Sequence, residues 1–236
     1  MQSTLGSFQE TQSQDPFALQ NHKLLKVSLN QVTIQAKLGS MVAYQGDVRF
    51  EHAGSGGLNR LVKKALTGEG ARLMKMEGSG EVFLANHAQD VHLLKLENDQ
   101  ITCNGRNVLA FDAGIDWDIV RFKGASGALA GGLFNMSLAG SGWVAITSDG
   151  PPVLLQAGDA PTFCDPQAAI TWASSLETHV KTDVNLKTLI GRGSGESIQV
   201  GFAGQGWILV QPSEGHVESD TQGGGGAGGL LGQLSG

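Results

Sequence analysis

The side chains with the chemistry for catalysis or metal binding are six histidines (His22, His52, His87, His92, His179 and His216), Cys103 and Cys164. A zinc site needs Cys and His at short fixed spacings, and no such cluster occurs; His87 and His92, five apart, fall on opposite faces of a regular strand. A serine hydrolase would place its nucleophile in a Gly-x-Ser-x-Gly elbow, and Ser55, Ser79, Ser126, Ser141 and Ser194 each lack a flanking glycine. Asp112, Asp116 and Asp118 are acidic neighbours without the glycine and distal glutamate of a calcium loop, so they read as a solvated turn. Gly54-Ser-Gly-Gly57 precedes a helical pattern carrying Lys63 and Lys64. It does not match Gly-x4-Gly-Lys-Ser/Thr, and no strand–loop–helix crossover follows. No catalytic residue, metal or cofactor is expected.

The elements that would carry such residues repeat. Gly78-Ser-Gly-Glu-Val-Phe-Leu84, Gly140-Ser-Gly-Trp-Val-Ala-Ile146 and Gly204-Gln-Gly-Trp-Ile-Leu-Val210 share a Gly-x-Gly followed by an apolar run. Upstream stand Val48-Arg-Phe-Glu51, Val120-Arg-Phe-Lys123 and Val184-Asn-Leu-Lys187, and from the second copy to the third both landmarks shift by 64 residues. A second half of the unit pairs Leu93-Leu-Lys-Leu96, Ile101-Thr-Cys103 and Val108-Leu-Ala-Phe111 with Leu154-Leu-Gln-Ala157, Thr162-Phe-Cys164 and Ala169-Ile-Thr-Trp172. It recurs as Leu24-Leu-Lys-Val27, Val32-Thr-Ile34 and Met41-Val-Ala-Tyr44. The reading drawn is a circular closure, in which these N-terminal strands complete the third unit and leave no long open edge.

The segments are short, rich in Val, Ile, Leu, Phe and Trp, and punctuated by Gly, Asn and Asp, which predicts strands. A strand follows each Gly-x-Gly, so those glycines serve bulges or bends rather than phosphate binding. Cys103 and Cys164 hold equivalent places, with Ile34 in the third, which marks small core hydrophobes. Trp143 and Trp207 likewise align with Glu81 at a rim position. One helix is expected over about 58–67, where Leu58, Leu61, Val62, Ala65 and Leu66 share a face opposite Arg60, Lys63 and Lys64. Residues 1–20 are expected to be flexible, 21–212 to form a single β domain, and 213–236, glycine-rich from Gly223, to be a disordered tail.

With 35 glycines, 6 prolines and 40% hydrophobic residues the 236-residue chain can bury a large β core. A net charge of −6 argues against a nucleic-acid surface. Met1–Asp15 has no basic or apolar region of a leader, and Ala125–Phe134 is too short to span a bilayer. Two cysteines without an export signal point to reduced thiols and a cytoplasmic protein.

Gly57-Leu-Asn-Arg-Leu-Val-Lys-Lys-Ala-Leu-Thr-Gly-Glu-Gly70, the Gly78–Leu84 run, Met41-Val-Ala-Tyr-Gln-Gly46 and Gly204–Gln211 resemble the altered-inheritance-of-mitochondria family. The resemblance covers roughly Leu24 to Gln211. It implies a fold like the tryptophan RNA-binding attenuation protein, an all-β, double-layered sandwich or barrel that is often oligomeric and has no agreed activity. In fungal members it implies a mitochondrial membrane association, a location the leaderless start does not support here. The expected function is a non-catalytic binding or scaffolding protein, acting as a homo-oligomer with an unidentified protein partner. The alternatives are an RNA-binding module, or a ligand binder or enzyme using a barrel interior. Arg60, Lys63 and Lys64, clustered cations on one element, and Leu133 and Phe134, in an apolar glycine-rich stretch, are the candidate partner contacts.

Overall fold

A computed structural model describes residues 3–30, 32–52, 72–122, 134–158, 160–182 and 198–213. A single 3-10 turn, Leu5–Phe8, precedes the first strand. Strands β1 (Phe17–Asn21), β2 (Leu24–Ser28), β3 (Ile34–Lys37), β4 (Met41–His52) and β5 (Leu73–Leu84) come first. Then come β6 (Asp90–Asn104), β7 (Val108–Asp112), β8 (Asp116–Val120) and β9 (Asn135–Ser148). The last group is β10 (Val153–Ala157), β11 (Thr162–Cys164), β12 (Ala169–Ala173), β13 (Glu177–Thr182), β14 (Ile198–Ala203) and β15 (Gly206–Val210).

In the first two groups a long central strand, and in the third two short consecutive ones, are paired on both sides. β5 lies between β2 with β3 and β4; β9 lies between β6 and β7 with β8; β14 and β15 lie between β11 with β10 and β13 with β12. All of these pairs are antiparallel. They gather into a 12-stranded and a 3-stranded sheet that make an open, sandwich-like body rather than a closed barrel. The first two central strands are buried at both ends, over Leu73–Met76 and Val82–Leu84 in β5 and over Asn135–Leu138 and Val144–Ser148 in β9. Between those ends lies the Gly-x-Gly. A Cβ on Gly78 or Gly80 would collide with the backbone carbonyl of Asp47 or Gln45 on β4, and both glycines have positive φ (131° and 154°). These glycines let two strands approach and bend where the core ends and the hairpin arm begins.

The pairing re-phases the units. β2 and β3 pair with β5, and β3 also with β7; among the described residues neither meets β14 or β15. The closure expected from the sequence is therefore replaced by three groups in simple chain order, because short connections make consecutive strands neighbours. The upstream landmarks also shift. Val48 sits opposite Gly78, whereas Val120 pairs with Asn135, so Val48-Arg-Phe and Val120-Arg-Phe are not equivalent. Residues 17–20, assigned to a flexible start, form β1 against β2, with Phe17 buried against Trp143 at a ring distance of 6.3 Å. The helix of 58–67 and the tail from 214 lie outside the described residues.

Three apolar clusters form, one per group. The first holds Leu25, Val27, Ile34, Met76, Val82 and Leu84; the second Ile101, Phe111, Leu138, Val144 and Ile146; the third Phe122, Trp172, Val200, Phe202 and Ile208.

Candidate functional site

Of the residues singled out by sequence, Arg60, Lys63, Lys64 and Leu133 lie outside the described residues. Phe134 is engaged within the chain: its ring covers Gly105, where a Cβ would overlap it, and it packs on the second cluster. Cys103 is fully buried and donates a hydrogen bond to Thr171 Oγ1 at 3.2 Å; Cys164 is half-buried. Burial pushes both thiols up to about 12, so neither is a thiolate at neutral pH. Ala36, not Ile34, takes the third place, because Ala36 and Cys103 pair with Ala110 and Thr171 in the same register. His92 lies half-buried with Nε2 2.7 Å from Ser148 Oγ, and burial holds its pKa below the usual 6.5 despite the opposing charge of Asp90. Asp112 caps its own turn by accepting from the Gly114 amide at 3.3 Å. No group able to hold a metal ion occurs among the described residues.

The geometry that matters lies between the groups. β3 pairs with β7, and the second half of β6 pairs with β12. These two junctions share one register. Ile34, Gln35 and Ala36 face Asp112, Phe111 and Ala110; Ile101, Thr102 and Cys103 face Ala173, Trp172 and Thr171. The receiving strand carries a one-residue bulge each time, at Leu109 and at Ile170. Each bulged residue is fully buried in the cluster of the preceding group, Leu109 in the first and Ile170 in the second.

The third pair of edges has the same parts and, among the described residues, no junction. The matching donor edge is β11, which among the described residues pairs only with β14. The matching receiver is the start of β4, which has the same bulge, at Val42. Val42 is 59% exposed, Tyr44 49% and Phe163 40%, whereas Leu109, Ile170 and Phe111 are 0% exposed. Among the described residues the third cluster contains none from the first group.

The second junction differs from the first in what fills it. At the first, Leu73, Ile115 and Trp117 all belong to the second cluster. By register, Asn135, Leu176 and Thr178 hold those places at the second junction, where a cleft of about 410 Å³ opens. Asn135 lines it at 2% exposure, and its Nδ2 has no hydrogen-bond partner.

A third asymmetry lies at the rim. Trp143 pairs with Lys95 and Trp207 with Gln156, each tryptophan packing on the cluster of the preceding group. In the first group Glu81 stands there instead, 2.8 Å from Lys26 Nζ, with Glu10 on the same ammonium at 3.1 Å. Burial works against the charge on Lys26, but the bonds to Glu81 and Glu10 outweigh it and hold the ammonium above its ordinary range. The cluster ties the N-terminal segment to β2 and β5 and fills the place an aromatic takes elsewhere.

Residues 17–213 match the model of the family described as mitochondrial biogenesis AIM24. The chain belongs to that family. Among solved structures it is similar to the crystal structure of protein SPYM3_0169 from Streptococcus pyogenes, with a TM-score of 0.67 and 22% identity. The match covers 84% of this chain and 92% of that one, a likeness of fold. Comparison with curated proteins finds no match. The AIM24 match begins at Phe17, the first residue of β1, so the strand that stacks on Trp143 falls within the family region. No helix among the described residues is long and apolar enough to cross a membrane.

Sequence reasoning missed Val42 and Asn135. The bulge has no residue-type marker, and an asparagine between apolar residues reads as an ordinary strand end. Only the registers show that one is a core residue out of its core and the other an amide in a leucine's place.

Proposed function

We propose that this AIM24-family protein is a non-catalytic binding or scaffolding module that works as a homo-oligomer, assembled head to tail. The observation that carries the reading is Val42: its two counterparts are buried in the neighbouring group's cluster, and it stands 59% exposed at the start of β4, which pairs with β5 on one edge and with no second strand among the described residues on the other. Among the described residues one donor edge of this kind and one receiver edge remain per chain. Such unlike, complementary surfaces join copies heterologously into a ring or a filament. The occupant of each edge is a second copy, since the two junctions already built in the chain define its register and its apolar knob. Protonated thiols at Cys103 and Cys164 support a role without nucleophilic cysteine chemistry, and their standing as free thiols supports a reducing, cytoplasmic setting.

Light scattering on the native protein over a concentration series should give a mass above one chain. Val42→Lys should reduce it to a monomer, because the knob contributes about 1.5 kcal/mol of burial per contact and a buried lysine reverses it. Folding should change by less than about 0.5 kcal/mol, since the position is exposed in the single chain. A native protein that stays monomeric at every concentration would sink the reading.

A further inference from the structure

The second and third groups each bury one face against the group before them. Leu93, Trp143 and Ala145 of the second pack on the first cluster, and Trp207 and Leu209 of the third pack on the second. By register the matching places in the first group are Lys26, Glu81 and Phe83, with Gln45 opposite Glu81 on β4. In a head-to-tail assembly this face, which adjoins Val42, is the one that meets the third cluster of a neighbouring copy. On the neighbour's side Val153 takes the place that Leu25 holds in the first cluster, and it is 53% exposed where Leu25 is 0%.

In the single chain the N-terminal segment lies over this face. Lys26 Nζ donates to one Glu10 oxygen at 3.1 Å and to the Thr11 carbonyl at 3.2 Å, and Gln45 Nε2 donates to the other Glu10 oxygen. Gln20 of β1 holds the same stretch from the side: it accepts from the Thr11 amide at 2.9 Å and donates to the Gln9 carbonyl at 3.0 Å. Lys26 is only 7% exposed under these contacts. The bond from Lys26 keeps the Glu10 carboxyl below the usual carboxylate range, so the clamp is charged at neutral pH.

The hold is polar and local. The 3-10 turn before it, Leu5–Phe8, buries no residue. Solvent-exposed ion pairs and hydrogen bonds each stabilise little, so a neighbour that offers apolar burial can displace the segment. Release also changes the charge of the face. With Glu10 in place two carboxylates share one ammonium; without it Lys26 and Glu81, 2.8 Å apart, remain as a neutral pair. An apolar cluster covers a neutral pair at lower cost than a net charge.

We propose that residues 9–11 form an autoinhibitory strap: clamped through Glu10 to Lys26 and Gln45, they occupy the face of the first group that a second copy of this chain needs, and assembly displaces them. The inference rests on the head-to-tail reading and adds its control.

The test is sedimentation velocity on the full chain over a concentration series, with hydrogen exchange read at the Thr11 amide. Glu10→Ala removes the clamp, and Gln20→Ala loosens the strap without changing the charges of the face. Each should lower the dissociation constant of the assembly by about tenfold or more relative to native protein. Val42→Lys should abolish association in both backgrounds. In native protein the Thr11 amide should exchange faster as rising concentration drives assembly, and this measurement stands even where a variant fails to fold. Unchanged or weaker association in both variants, tightening by Glu10→Ala alone, or a Thr11 amide equally protected in the assembly would overturn the strap while leaving the head-to-tail reading in place. Association in neither native protein nor variants would overturn that reading and the strap with it.

Discussion

Phe134 shows how far a single residue's chemistry can be read from type alone. Its place in an apolar, glycine-rich stretch marks it as a contact, but only the structure shows that the contact is Gly105 of its own chain. Phe134→Ala should therefore lower stability by about 2 kcal/mol, less than a fully buried phenylalanine because the ring is half-covered; thermal melting measures it. His92 gives a pH test. Burial favours its neutral form, so the unfolded chain binds the extra proton first as pH falls. Stability should be full above its ordinary value of 6.5 and decline as pH drops through it, before the carboxylates titrate. The melting temperature of native protein should fall between about pH 7.5 and 5.5, and His92→Gln should flatten that step. An unchanged step in the variant would assign it elsewhere.

At the scale of elements, Gly78 is the sharpest point of control. Its positive φ and the Asp47 carbonyl beside it leave no room for a methyl group, so Gly78→Ala should destabilise by about 2 kcal/mol or more. A variant melting like native protein would mean that the β4–β5 approach is not fixed there. Gly-x-Gly was legible in sequence because glycine is nearly obligatory at such a bend, and so were the strands that follow, from their apolar runs. The phase of the repeat was not legible: a repeating pattern can be cut anywhere, and only the pairing of β2 and β3 with β5 says where each group starts. Val48-Arg-Phe misled for the same reason, since similar residues at the wrong register look like a landmark. The bulges at Val42, Leu109 and Ile170 were hidden as well, because a bulge adds a residue without changing the residue types around it.

For the molecule as a whole, the central claim is that a chain with two built junctions and a third set of matching, open edges joins its copies through that third set. The register it requires is specific. Cys103 faces Thr171 and Ala36 faces Ala110 at the built junctions, each receiver following the bulged residue. At the third, Cys164 of one chain should therefore face Ala43 of the next. Residues opposite each other on antiparallel strands lie about 4.5–5.5 Å apart at Cα, within disulfide range. The direct measurement is oxidation of an Ala43→Cys variant, which pairs the new thiol with native Cys164, read on a non-reducing gel and by mass. An added oxidant is needed because joining two thiols as a disulfide removes two electrons, and the Cys164 thiol, held up to about 12, makes the step slow. Covalent dimers and longer species are expected, and they should vanish in Ala43→Cys combined with Cys164→Ser. A bond confined to single chains, or no bond at all in the folded variant, would contradict it.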